Sequence, residues 1–294
     1  MADFESDAPR DVLYDESVSK SLRGMLRKNK TAAVSLVIVV LIMAAAAAAP
    51  LYLKYNPNKH SLKERFAAPS SAHWLGCDDL GRDQLTRLVY GARISILIGI
   101  IPTTLSMAVG TLLGLLSGYF GGRTDFWIMR AADIVLAFPS LLLAMVVSYT
   151  LGGGIISIFV ALSAVSWAGT ARVIRAQTMS LKEKEFVEAA RSVGVGDTLI
   201  MFRHILPNCA PNLIVLFTLN IPAAILNESA LSFLGVGAAP PSTSWGLMVY
   251  RYKTYLMSYS WLAITPGVAI LIFVLAFNFL GDGVRDALDP YMKD

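Results

Sequence analysis

The chain has 294 residues, of which 55% are hydrophobic and only 16% charged, and its mean hydropathy is +0.57. Soluble domains carry about a quarter charged residues, so this composition excludes an ordinary soluble globule and points to a membrane protein. A formal net charge of +4, with no basic stripe interleaved with aromatics, argues against nucleic acid as a partner.

Residues 1–30 read as a cytoplasmic N-terminal tail. It opens acidic (Asp3, Glu5, Asp7, Asp11, Asp15, Glu16) and turns basic (Lys20, Arg23, Arg27, Lys28, Lys30). Its polar first part, Met1–Ser19, lacks the apolar content to fold and is expected to be disordered. Six stretches then have the roughly 20 apolar residues that a membrane-crossing helix needs, at about 31–53, 93–119, 127–150, 155–176, 211–234 and 263–281. The expected class is an all-α membrane protein with six transmembrane helices. Thr31–Leu53 ends in Ala44–Ala49, which looks like a signal-peptide cleavage region. The long acidic tail ahead of it and its full spanning length favour an uncleaved anchor.

An outer segment, 54–92, follows this anchor. The other five spans occupy 93–282, and 283–294 forms a short C-terminal tail. With the N-terminus inside, sixteen Lys and Arg residues fall on inner segments and nine on outer ones. By the positive-inside rule both termini face the cytoplasm. Cys77 and Cys209 then lie on opposite sides of the bilayer, and neither has a metal-site neighbourhood, so both read as packing residues.

Within the spans, Gly110, Gly114 and Gly118 recur every four residues, spaced for close helix packing. Pro102, Pro139 and Pro222 are expected kinks. Ionisable and amide groups in a span are candidates for function. Asp133 reads first as a partner for inner-end basic groups such as Arg130. Asn220 and Asn227, seven apart, share a face of the fifth span with Glu228 nearby, and this face could line a path or join helices. Asn278 reads as interhelical packing.

The longest inner loop, about 180–210, has its own pattern. Ser180 and Glu183 fit a capping box. Phe186, Ala189, Ala190 and Val193 recur at helical spacing after Leu181, and Gly194 is placed to end the helix. Asp197 can cap a second short helix that stops before Pro207. Periodicity alone leaves open whether this helix lies on lipid, on its own protein or on a partner.

The spelling of the loop narrows the choice. Glu188-Ala189-Ala190, then Gly194, then Leu206-Pro207 resembles the EAA loop of ABC-importer permeases. His204 departs from the broad pattern and looks like the peptide-importer branch. His73-Trp-Leu-Gly-Cys-Asp-Asp-Leu-Gly-Arg-Asp83, Tyr90-Gly-Ala-Arg-Ile-Ser95, Gly118-Tyr-Phe-Gly-Gly122, Ala230-Leu-Ser-Phe-Leu-Gly235, Pro240-Pro241 with Trp245-Gly246, and Gly281-Asp-Gly-Val-Arg-Asp-Ala-Leu-Asp-Pro290 all resemble the dipeptide/oligopeptide/nickel branch. The order of elements is similar to the second of the two permeases in such importers.

This resemblance implies a type I ABC-importer transmembrane fold working by alternating access. It implies ATPase coupling through Glu188, Ala189, Ala190, Gly194, Asp197, Leu206 and Pro207. Implied partners are a second permease in a heterodimer, two ATP-binding subunits, an extracytoplasmic peptide-binding protein and membrane lipid. Asp78, Asp79, Arg82, Asp83 and Trp245 become candidates for a docking rim, or for a cap held by its own ion pairs. The implied cargo is a di- or oligopeptide, with nickel or another small solute as the alternative in the same branch and a secondary carrier or channel as the distant one.

The chain has no G-x-x-x-x-G-K-[ST] phosphate loop. ATP and Mg are therefore expected on partner subunits, and no cofactor is expected on this chain. Its three histidines, His60, His73 and His204, fall outside the spans, which argues against an intramembrane enzyme.

Overall fold

A computed structural model describes residues 24, 29–238 and 242–288. The acidic tail, the basic residues from Arg10 to Lys28, Pro240-Pro241 and the last six residues lie outside the described residues. Regular structure among the described residues is helical, apart from an isolated bridge between Cys77 and Asp83.

The first helix, α1 (Lys30–Tyr52), is capped by Asn29, whose side chain accepts the Ala32 N–H at 3.1 Å. A polar segment leads to α2 (Gln84–Phe120), which begins about nine residues before the predicted span. Asp83 starts it by accepting both the N–H and the hydroxyl of Thr86. At 37 residues α2 is about 55 Å long, well beyond the ~30 Å of hydrocarbon that a span must cover.

The span expected at 127–150 is not one straight helix. It is α3 (Gly122–Ala137) and α4 (Ser140–Thr150), bent by 94° across Phe138-Pro139. Proline disfavours helix at the residue before it and cannot donate its own N–H, so the break falls where Pro139 stands. Among the described residues, five helices are thus long and apolar enough to cross a membrane, or six if the bent pair counts as one span. The others are α5 (Ile155–Leu181), the run Asp197–Phe233, and α10 (Ser260–Leu288).

The glycine ladder behaves as its spacing predicts. α2 lies so close to α5 that a Cβ at Gly110 would come within 2.6 Å of the Trp167 carbonyl. At Gly114 and Gly118 it would lie 2.7 Å from the carbonyls of Ala171 and Arg175. Only a residue without a side chain permits this approach. A second apolar cluster, built on Ile225, Trp245, Tyr252 and Phe273, joins α1, α2, α8 (Leu206–Phe233), α9 (Trp245–Tyr252) and α10.

Candidate functional site

The loop between α5 and α8 lies beyond the ends of the apolar helices. Its first element, α6 (Glu185–Ser192), ends in two hydrogen bonds, from Val195 N–H to the Ala190 carbonyl and from Gly194 N–H to the Arg191 carbonyl. This Schellman pairing requires a left-handed residue, and Gly194 supplies it at φ +81°. A short helix, α7 (Asp197–Leu199), follows, then a π-helical turn (Ile200–Ile205) that runs straight into α8.

Three local expectations are corrected here. Ser180 caps nothing, because α5 continues to Leu181 and places it inside the preceding helix; α6 starts at Glu185 without a side-chain cap. Asp197 is the first residue of α7 rather than its cap, and its carboxylate accepts the Tyr119 hydroxyl at 2.6 Å. The chain does not stop before Pro207. Pro207 sits in the first turn of α8, and the wider π turn before it absorbs the missing N–H, with Leu206 N–H bonding the Met201 carbonyl.

The buried face of α6 also differs from the predicted stripe. Val187 and Ala190 point inward onto Leu115, Tyr119, Ile174, Ile200, Met201 and Ile205, with Phe186 half-buried beside them. Glu188 and Ala189 are exposed, and Val193 is 80% exposed. Leu199 and Phe202 add a further exposed apolar surface. The loop is thus packed on one side, while its exposed side carries Val193, Leu199 and Phe202 among charged residues such as Glu188 and Arg191. Lys182 donates to the Gly118 carbonyl at 3.1 Å, and the Arg191 guanidinium lies 5.3 Å over the Tyr119 ring. Tyr119 and Lys182 were not singled out from sequence, since their roles depend on contacts between distant elements.

At the opposite end, residues 54–83 fold into a cap around Asp78, which has no exposed surface. Its Oδ1 accepts the N–H groups of Leu80 and Arg82, and its Oδ2 accepts Arg82 Nε at 2.7 Å and the Tyr252 hydroxyl at 2.9 Å. Arg87 lies 3.4 Å from the same oxygen. Burial pushes the Asp78 carboxyl up, but the Arg82 N–H and guanidinium, the Leu80 N–H and the Arg87 charge outweigh it and hold it below the usual carboxylate range. Burial pushes the neighbouring Cys77 thiol up to about 12.

Of the docking-rim candidates, Asp78, Arg82, Asp83 and Trp245 are therefore buried and hold the cap together. Asp83 caps α2 and contacts His73 Nδ1 at 2.9 Å. Asp79 is nearer the surface and takes a two-pronged bond from Arg251 of α9. The cap's ion pairs face its own chain.

These two ends, a glycine-packed helix pair between them and the broken α3–α4 span can be set beside known proteins. Residues 110–294 match the family model described as a binding-protein-dependent transport system inner membrane component. The chain belongs to this family. Residues 20–69 match a second model, the N-terminal TM domain of oligopeptide transport permease C. The chain is 41% identical to the dipeptide transport system permease protein DppC of Alkalihalophilus pseudofirmus, over 98% of this chain and 95% of that one. It is 41% identical to the oligopeptide transport system permease protein OppC of Bacillus subtilis, covering 91% and 88%. It is 46% identical to the glutathione transport system permease protein GsiD of Pectobacterium atrosepticum, covering 76% and 75%. A solved structure titled as inward-facing conformations of the MetNI methionine ABC transporter shares the fold, with a TM-score of 0.58 at 18% identity over 70% of this chain and 97% of that one. The expected type I importer fold is what this family and that neighbour have. The chain is a multi-pass membrane transport component and not an ATPase.

In this transport component the polar groups of the spans divide. Asp133 pairs with Arg172 at 2.6 Å and with Arg130 at 3.8 Å, so it bridges α3 to α5 as well as meeting its predicted neighbour. Asp125 and Arg175 form a second such bridge. Asn220 and Asn227 are half-buried, as is Asn278. Glu228 is fully enclosed within the subunit, so in this conformation it does not line a path.

Proposed function

We propose that this chain is the permease of an ATP-driven importer that carries di- or oligopeptides across the cytoplasmic membrane by alternating access. The observation that carries this reading is the inner loop. It presents Val193, Leu199 and Phe202 to solvent while Val187, Ala190, Ile200 and Met201 anchor it to α2, α5 and α8. Exposed apolar residues on a packed base suit a docking partner. Because the chain has no phosphate loop, that partner is the subunit that binds ATP and Mg. Glu188, Ala189, Ala190, Gly194, Asp197, Leu206 and Pro207 then form the coupling element, with Asp197 and Pro207 acting through its geometry.

Two such ATPases, a second permease and an extracytoplasmic binding protein complete the assembly, in lipid, with both termini cytoplasmic. The Lys and Arg distribution supports this orientation. The peptide and glutathione permeases among the relatives support the cargo class. For the cycle to run, the loop must bind the open and closed ATPase dimers with different free energies.

Gly194→Val tests the assignment. A Cβ at Gly194 meets nothing within 4 Å, so the substitution acts through its φ of +81°, a strain of about 1–3 kcal/mol. Membrane insertion and the spans are expected to survive while peptide uptake falls. Wild-type uptake by this variant, in a complex that hydrolyses ATP normally, would show that the loop is not the coupling element.

A further inference from the structure

Glu228 lies near the outer end of α8, with no exposed surface. Its polar partners among the described residues are two serines. Ser232 and Ser244 both donate to Oε1, each at 2.7 Å. The other oxygen, Oε2, is buried without a partner and faces Gly246, where an added Cβ would lie 2.8 Å away. Two donors on Oε1 serve a carboxyl carbonyl, while Oε2 has neither the donors nor the countercharge that an ionised group needs. An ionised carboxylate without a countercharge would cost far more in this setting than a neutral acid.

The residues around Glu228 join three helices. The Ser244 hydroxyl oxygen caps α9 by accepting the Leu247 N–H at 3.1 Å. Trp245 donates its backbone N–H to the Ser95 hydroxyl of α2 at 3.0 Å and its indole N–H to the Leu88 carbonyl at 2.9 Å. α8 in turn continues through the π turn to Asp197 as one helical run. One end of that run carries the inner loop, and Glu228 stands near the other.

We infer that Glu228 is held as a neutral acid and is a positioning residue, pinning the rod that carries the inner loop to the Ser244–Gly246 corner. Movement of the loop then moves the opposite end of the permease. This rests on the reading of the loop as the ATPase-coupling element.

The test uses the whole importer in vesicles, with peptide uptake and ATP hydrolysis measured on the same preparation. Glu228→Gln keeps the Oε1 acceptor and is expected to stay within about twofold of wild-type uptake. Glu228→Ala and Ser244→Ala are expected to lower uptake per ATP hydrolysed by about tenfold, the size of a typical coupling term. Ser244→Thr, which restores the hydroxyl, is expected to recover it. If Glu228→Ala does not assemble, Ser244→Ala decides, because that serine lies outside the spans. Unchanged uptake per ATP in Ser244→Ala would overturn the pin. Loss of uptake in an assembled Glu228→Gln complex would overturn the neutral acid. Failure of the underlying reading shows separately, as wild-type uptake by the Gly194→Val complex.

Discussion

Tyr119 and Asp197 are 78 residues apart and meet in a hydrogen bond of 2.6 Å, phenol to carboxylate. The bond ties the C-terminal end of α2 to the start of the rod that follows the loop, and Arg191 of α6 lies over the same ring. One tyrosine thus gathers both halves of the proposed coupling element onto the helix that carries the glycine ladder.

Tyr119→Phe separates the bond from the ring. It keeps the packing and the Arg191 contact and is expected to cost about 1 kcal/mol. Tyr119→Ala removes the ring as well and is expected to cost about 3–5 kcal/mol. Thermal unfolding of the purified chain gives the order, and equal losses in the two variants would show that the ring contributes nothing.

The seam between α2 and α5 has less tolerance. Gly114→Leu forces a side chain against the Ala171 carbonyl and the Ile174 side chain, so overpacking of about 3 kcal/mol or more is expected. Gly114→Ala should show a smaller loss of the same sign. Detergent-extracted yield and unfolding temperature measure both, and a fully stable Gly114→Leu protein would mean that the helices do not approach this closely.

The cap should respond to pH through Asp78. Its carboxyl sits below the usual range when folded, so its stabilisation is complete above the unfolded carboxylate pKa of about 4. It is lost as pH falls through that value to the lower folded one. Asp78→Asn leaves Arg82 and Arg87 without their shared carboxylate and is expected to cost about 3–5 kcal/mol at neutral pH. The difference from wild type should shrink on acidification, and a gap that stays constant down to pH ~3 would rule out the ionised carboxylate as the source.

Asn220 and Asn227 remain the proposed path-lining pair, half-buried on one face of α8. Asn220→Cys and Asn227→Cys should react with a water-soluble thiol reagent, to an extent that changes with the nucleotide state of the complex. The native Cys77 and Cys209 are buried and contribute little background. Absence of labelling at both positions in every state would remove them from the path.

Much of this architecture is legible from residue order alone. The apolar runs, the glycine ladder at 110, 114 and 118 and the stop at Gly194 come from hydropathy, spacing and backbone φ, which are properties of a short stretch of chain. Pro139 likewise announces a break, though the 94° angle depends on how α3 and α4 each pack on α5.

Other features required the folded chain. Periodicity says that α6 has an apolar face, but the position of the C-terminal end of α2 selects Val187 and Ala190 for burial and leaves Val193 outside. The acidic cluster at 78–83 reads equally as a surface or a core until Arg87 of α2 and Tyr252, 174 residues away, close over Asp78. Glu228 reads as a candidate for the path until Ser244 and Gly246 enclose it. Burial and the pairing of charges belong to sets of residues brought together across the sequence, so only tertiary packing decides them.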